Sequence, residues 1–276
     1  EAEQLWPVTD GSGVTIAVLD NAPTLDPHAT FNGYSFGVTN QVYENLVRLT
    51  PDAEVIPGLA ESWSYPDEYT LRLALREGVS FHDGTPFNAE AVRFTIERAI
   101  NPDFPARGVA WLGPVIGAEV VDEYTVDVLT DGPFGPLLNH LSMVFVVGIV
   151  SPTAVELHGD DYGRHPVGTG PFKFENWVTN QSITLVRNDD YWREPSDLNS
   201  VTFLPISEGT TRIAMIESGA AHVVINVPPQ DVDRIDAMDD VTVHKVDSMR
   251  TIYIFFNNYR EPFTDVRVRQ AINHAV

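Results

Sequence analysis

Hydrophobic and polar positions along the chain set out a mixed succession of strands and helices. Residues 14–19 (VTIAVL) form a short apolar run that ends in Asp20-Asn21-Ala22-Pro23, a strand followed by a breaker. From Phe36 to Leu49, the residues Val38, Val42, Leu46 and Leu49 recur at helical spacing, and Pro51 and Pro57 stop the pattern. Tyr69, Leu71, Leu73 and Leu75 alternate with polar or small residues, the period of a half-buried strand. Asn88-Ala89-Glu90 reads as a helix N-cap with an acid in the first turn, and Val92, Ile96, Ala99 and Ile100 give that helix one apolar face. A hairpin follows over 116–128, turning at Asp122-Glu123. The unbroken apolar run MVFVVGIV at 143–150 reads as a buried strand closed by Ser151-Pro152.

Further strands are expected at 172–177, 183–187, 201–206, 223–227, 241–246 and 251–257. Helices are expected over 207–218, stopped by Gly219, and from Val266 onward. That last helix reaches Val276 without a stop signal, so a piece of a longer chain is expected. Strands and helices mix without strict alternation, which predicts an α/β (mixed α+β) fold with mixed sheets.

Composition narrows the picture. The 276 residues carry 39 acidic and 17 basic side chains, a net charge of −22, and only Lys173 and Lys245 are lysines. Nucleic acid is not a partner for such a chain, since neutralising phosphates takes clustered Lys and Arg. With no cysteine, disulfides, thiolate chemistry and Cys-ligated zinc are excluded. No apolar run reaches the length of a membrane span. The absence of Met and of a leader at Glu1 fits a mature exported chain or a trimmed one.

Candidate chemistry is sparse. Gly33-Tyr34-Ser35-Phe36-Gly37 spells the G-x-S-x-G nucleophile elbow, so a serine hydrolase using Ser35 is the alternative function. The elbow needs a strand running straight into the serine, and a loop with Pro23 and Pro27 stands there instead. No histidine pair stands at i, i+4 and there is no H-E-x-x-H, so no metal and no cofactor is predicted. Gly168-Thr169-Gly170-Pro171 lacks the lysine of a phosphate loop and reads as a tight turn. Phe31, Tyr34, Trp111 and Tyr253 lie near loop and strand ends, where they either fill the core or line a cleft.

Several blocks occur in a telling order: LDPHATFNGYSFGVTNQVYENLVRL, IPGLAESWS, LRLALREGVSFHDGTPFNAEAVRFTIERA, PVGTGPFKFENW, RNDDYW, TTRIAMIESG and IYIFFNNYREPFTDVRVRQAINHAV. In them the chain resembles the dipeptide/oligopeptide/nickel family (family 5) of extracytoplasmic solute-binding proteins of ABC importers, most nearly its glutathione- and dipeptide-binding branch. The resemblance covers most of the chain.

It implies a periplasmic-binding-protein-like type II lobe with a smaller inserted α+β domain. Residues 1–37 and 150–256 would form the first domain, 38–149 the inserted one, and 257–276 the crossover to a far lobe that is missing here. It also implies a peptide-like small solute, delivery to a membrane permease, a periplasmic or extracellular location at the membrane, and a monomer when full length.

Carried onto this sequence, the ligand-facing loop after the first strand holds Phe31, Asn32, Tyr34 and Ser35, with Gly33 and Gly37 letting the backbone bend. Trp111, in VAWLG, corresponds to a pocket tryptophan of the nickel branch. That branch's arginine is absent from MVFVVGIVSP, so nickel is not implied. Arg250 precedes TIYIFFN, which approaches the cleft in the family, and it pairs either with a ligand carboxylate or with a surface acid.

Overall fold

A computed structural model describes residues 13–246 and 253–275. The chain divides into two compact units, one reaching to Asp231 and one from Val232 onward.

The first unit opens with β1 (Val14–Val18) and α1 (Gly33–Val42), followed by the short strands β2 (Val47–Leu49) and β3 (Val55–Pro57). Next come β4 (Ala60–Asp67), β5 (Thr70–Leu75), α2 (Ala89–Ile100), α3 (Val109–Leu112), β6 (Val115–Asp122) and β7 (Thr125–Thr130). Three short helices, α4 (Leu137–His140), α5 (Val144–Val147) and α6 (Pro152–His158), lead into β8 (Phe172–Val178), β9 (Ser182–Arg187) and β10 (Ser200–Pro205). The unit closes with α7 (Gly209–Glu217) and β11 (Val223–Val224).

Two sheets carry it. The first runs β11-β1-β10-β9-β8 and is mixed: β1 lies parallel to both of its neighbours, while β10, β9 and β8 form an antiparallel meander. The second runs β4-β5-β7-β6 and is antiparallel throughout. β5 alternates as its sequence predicts, with Leu71, Leu73 and Leu75 facing inward. Asn88 caps α2 by accepting from the amide of Ala91, and the helix buries Val92, Thr95, Ile96 and Ala99. One apolar cluster fills the space beneath the antiparallel sheet and α2. A second lies beneath the mixed sheet and α1. The second unit contains α8 (Val232–Asp236) and α9 (Val266–Ala275), the latter with no buried residue.

The structure departs from the sequence pattern in several places. Residues 143–150 do not form a strand: α5 makes a single helical turn there. An all-apolar run has no period to tell strand from helix. The turn is tied by Ile149 N–H to the Glu44 carbonyl and by Val150 N–H to Thr95 Oγ1. α1 stops at Val42 rather than at Leu49. The turn at 168–170 packs on its end so closely that a Cβ on Gly168 would stand 2.1 Å from the Val42 carbonyl oxygen. The expected strand at 241–246 has no regular structure; of the one at 251–257, residues 251–252 lie outside the described residues and 253–257 are irregular.

A buried polar joint links the loop after β1 to α2. Arg98 donates to both oxygens of Asp26, at 3.1 and 2.6 Å, with both side chains about nine-tenths buried. A third donation, at 2.8 Å, goes to His28 Nδ1. His28 Nε2 in turn donates to the Gly148 carbonyl at 3.0 Å, which fixes a neutral imidazole with its proton on Nε2. Burial pushes the His28 pKa down to about 4; Asp26 and the Gly148 hydrogen bond oppose that shift and Arg98 adds to it. Burial likewise lowers His82 to about 4, against its bond to the Gly170 carbonyl.

Two outcomes follow from this joint and from buried His82. Between the ordinary histidine pKa of 6.5 and about 4, the unfolded chain binds protons that folded His28 and His82 refuse. Stability is therefore complete above 6.5 and declines as pH falls towards 4. The urea midpoint is expected to fall as the pH is lowered across this range, and His82→Gln to reduce the proton uptake on unfolding by about one. Arg98→Met leaves Asp26 buried without its charged partner, with only the His28 amide still donating to it, and is expected to cost about 3–5 kcal/mol by the same method.

Candidate functional site

The segment FNGYSFG is the start of a helix. Asn32 is extended and caps α1, its Oδ1 accepting from the amides of Tyr34 at 2.9 Å and Ser35 at 3.1 Å. Ser35 is thus in the first helical turn and not in a ligand-facing loop, as the sequence reading had it. It has no exposed surface, and its hydroxyl has no hydrogen-bond partner, so no histidine is placed to activate it. No strand enters the turn, and the elbow geometry is absent. Gly33 and Gly37 stand in open space at ordinary helical angles, so neither is needed for an unusual bend.

Phe31 and Trp111, far apart in sequence, are brought together through Phe145. Phe31 is 61% exposed and Trp111 40%, both large for aromatic side chains. The Phe31 ring meets Phe145 edge-on with centroids 5.0 Å apart, and Trp111 meets it edge-on at 6.0 Å. Phe36 stacks on Phe145 at 5.0 Å. His140 extends the row, 5.3 Å from Trp111, and holds the Trp111 carbonyl through Nδ1. The result is an aromatic shelf drawn from four elements: the N-terminal end of α1, α3, α4 and α5.

Backbone contacts set the shelf's spacing. Gly108 lets α3 press on α5, since a Cβ there would sit 2.3 Å from the Phe145 carbonyl oxygen. The amide of Arg107, just before α3, donates to the His28 carbonyl at 2.8 Å. The buried joint therefore reaches three rings of the shelf: Phe31 through the chain itself, Trp111 through Arg107, and Phe145 through Gly148.

Other expected site residues fall elsewhere. Tyr34 lies two residues from Phe36 on α1, hence on another side of the helix, and borders a crevice with Asp20, Asn21 and Pro205. The Asn32 carboxamide oxygen is occupied by capping. Arg250 lies outside the described residues. Phe145 and Phe36 were not singled out in the sequence, where the strand reading of 143–150 hid the outward turn of Phe145. Among the described residues no group of three or more His, Cys, Asp or Glu side chains is placed to hold a metal ion. None of the described helices is long and apolar enough to cross a membrane.

The model of the bacterial extracellular solute-binding proteins, family 5 (middle region), matches residues 54–276. The chain belongs to this family. The glutathione-binding protein GsiB of Salmonella typhi is 32% identical over 273 residues, which are 98% of this chain and 53% of that protein. GsiB of Pectobacterium atrosepticum is 31% identical over 277 residues, again 53% of its length. The chain thus spans about half the length of the curated relatives it matches.

Among solved structures, the periplasmic binding protein DppA of Helicobacter pylori, in complex with the peptide STSA, superposes with a TM-score of 0.87 at 27% identity, over 97% of this chain and 57% of DppA. A dipeptide-binding protein from Pseudoalteromonas, in complex with Met-Leu, gives 0.85 at 26% identity, over 96% and 57%. These neighbours establish the periplasmic-binding-protein architecture of the mixed α/β fold.

The shelf predicts different costs for two of its rings. Phe145, half-buried between three aromatic neighbours, is expected to lose about 2–4 kcal/mol of stability as Phe145→Ala. Trp111→Ala, at an exposed edge, is expected to lose less than about 1.5 kcal/mol. Chemical denaturation of the two variants measures both.

Proposed function

We propose that this chain is the ligand-receiving part of an extracytoplasmic receptor that hands a peptide-like solute to an ABC importer. The observation that carries the proposal is the aromatic shelf on a chain of this family. Partly exposed rings give a solute apolar area to cover, and ligand pockets are typically lined in this way. GsiB is a glutathione-binding protein, and DppA holds a tetrapeptide, so a short peptide or glutathione is the proposed class of solute.

In this reading Phe31 and Trp111 contact the solute, with Phe145 and Phe36 behind them. Asn32 and Ser35 shape the helix start that presents Phe31, Tyr34 flanks it, and Arg250 is the proposed partner for a ligand carboxylate. Residues 1–37 and 150–256 are proposed as one domain and 38–149 as the inserted one, with 257–276 crossing to a second lobe that completes the cleft. Permease docking, export to the membrane's outer side and a monomeric full-length state belong to the same proposal, and so does the absence of catalysis.

The test is calorimetric titration with Ser-Thr-Ser-Ala, Met-Leu and glutathione. At least one is expected to bind saturably and without turnover. Trp111→Ala is expected to weaken it by roughly 1–3 kcal/mol, about tenfold for each 1.4 kcal/mol. Binding unchanged in Trp111→Ala, or labelling of Ser35 by a fluorophosphonate, would overturn the reading.

A further inference from the structure

A cavity of about 890 Å³ opens in the first unit with the buried joint in its wall. Asp26 and Arg98 line it, and no residue of the aromatic shelf does. Its wall is drawn from the loop after β1, from the end of α2 with the loop that follows, and from α6 running into the 3₁₀ turn Gly159–Arg164. Phe94, Ile100, Phe104 and Val155 supply its apolar part. Small-molecule sites have this character: a concave space of roughly 300–1,000 Å³, largely apolar, with a few polar groups that select the ligand.

The charges left over in the wall are of one sign. Arg98 is the one basic side chain among the described residues lining the cavity. Its guanidinium is spent on both oxygens of Asp26 and on His28, and its flat face lies over Phe104. No cationic group is therefore left for an anion. Glu97 is paired with Arg93 at 2.9 Å. Asp103, from the loop after α2, and Asp160, from the 3₁₀ turn, face the same cavity, and neither carboxylate has a donor or a basic partner among the described residues.

The end of α2 adds to this field. Ile100 and the cap residue Asn101 both line the cavity. Pro102 has no amide to give, the Asp103 amide donates to Asn101 Oδ1 at 2.9 Å, and the Phe104 amide donates to the Asn101 carbonyl at 3.1 Å. The Ala99 and Ile100 carbonyls thus accept from no amide among the described residues. Such open carbonyls carry the negative end of the helix dipole, which favours cations. Apolar walls around a concave space concentrate a field of one sign.

We propose that this cavity binds a polyamine-class solute, a flexible aliphatic cation with two or more ammonium groups. The ammonium groups pair with Asp103 and Asp160, and the methylene stem covers Phe94, Ile100 and Phe104. A singly charged amine would leave one carboxylate unpaired. A compact metal cation would gain nothing from the apolar wall and would give up its hydration for it. The site is separate from the shelf, and the proposal does not rest on what the shelf binds.

The probe is spermidine, titrated calorimetrically at constant ionic strength with sodium chloride as the balancing salt. One saturable binding event is expected. Asp103→Asn and Asp160→Asn are each expected to weaken it about five- to tenfold, as for a charge pair in a partly enclosed site. Glu68→Gln removes one charge at the exposed turn between β4 and β5, outside the cavity, and is expected to leave the affinity unchanged. Asp103→Glu and Asp160→Glu keep the charge and are expected to lose less than the Asn variants; they carry the test if an Asn variant fails to fold. Absence of saturable binding overturns the proposal. So does an equal loss in Asp103→Asn, Asp160→Asn and Glu68→Gln, or displacement of spermidine by magnesium at equal charge, since either means diffuse attraction to an acidic surface.

Discussion

Asp26, His28 and Arg98 are three polar side chains almost without access to water, and the arrangement of the first unit depends on their satisfying one another. A buried carboxylate or guanidinium is tolerated only where its partners are in place. Here the pairing is bidentate, and a neutral imidazole accepts a third bond from the same guanidinium. Arg98 also lies over the Phe104 ring at 3.9 Å, so its flat face is covered as well. The joint gives the loop after β1, the C-terminal turn of α2 and the turn at Gly148 one shared geometry. Loosening any member exposes the needs of the others.

That geometry matters because the aromatic shelf has no single element of its own. Phe31 comes from a loop end, Trp111 from a one-turn helix and Phe145 from another. Short helices of this kind have little stability in isolation. They keep their places through tertiary contacts: the close approach at Gly108, the Arg107 amide on His28, and the His28 imidazole on Gly148.

Much of the fold was legible where residues announce their own geometry. The alternation of Leu71, Leu73 and Leu75 marked β5, and Asn88 marked the start of α2. The order of the family blocks carried the assignment of the chain. The site was less legible. Phe145 sits in eight consecutive apolar residues, where no period separates inward from outward, and only tertiary contacts turn it out. Ser35 matched a catalytic motif as letters, yet Asn32 two positions ahead of Tyr34 makes those letters a helix start. The Asp26–His28–Arg98 joint joins residues 70 positions apart, and nothing in the local sequence of His28 distinguishes it from a solvated histidine.

The claim that the buried joint positions the shelf is tested most directly by fluorine NMR on 5-fluorotryptophan-labelled protein. The Trp111 resonance is assigned by its loss in Trp111→Phe, and spectra are then compared between the parent and Arg98→Met under conditions where both are folded. The account predicts that the Trp111 resonance shifts or broadens in Arg98→Met, while that of Trp177, on β8 in the mixed sheet, stays in place. An unchanged Trp111 resonance in the folded variant would contradict it.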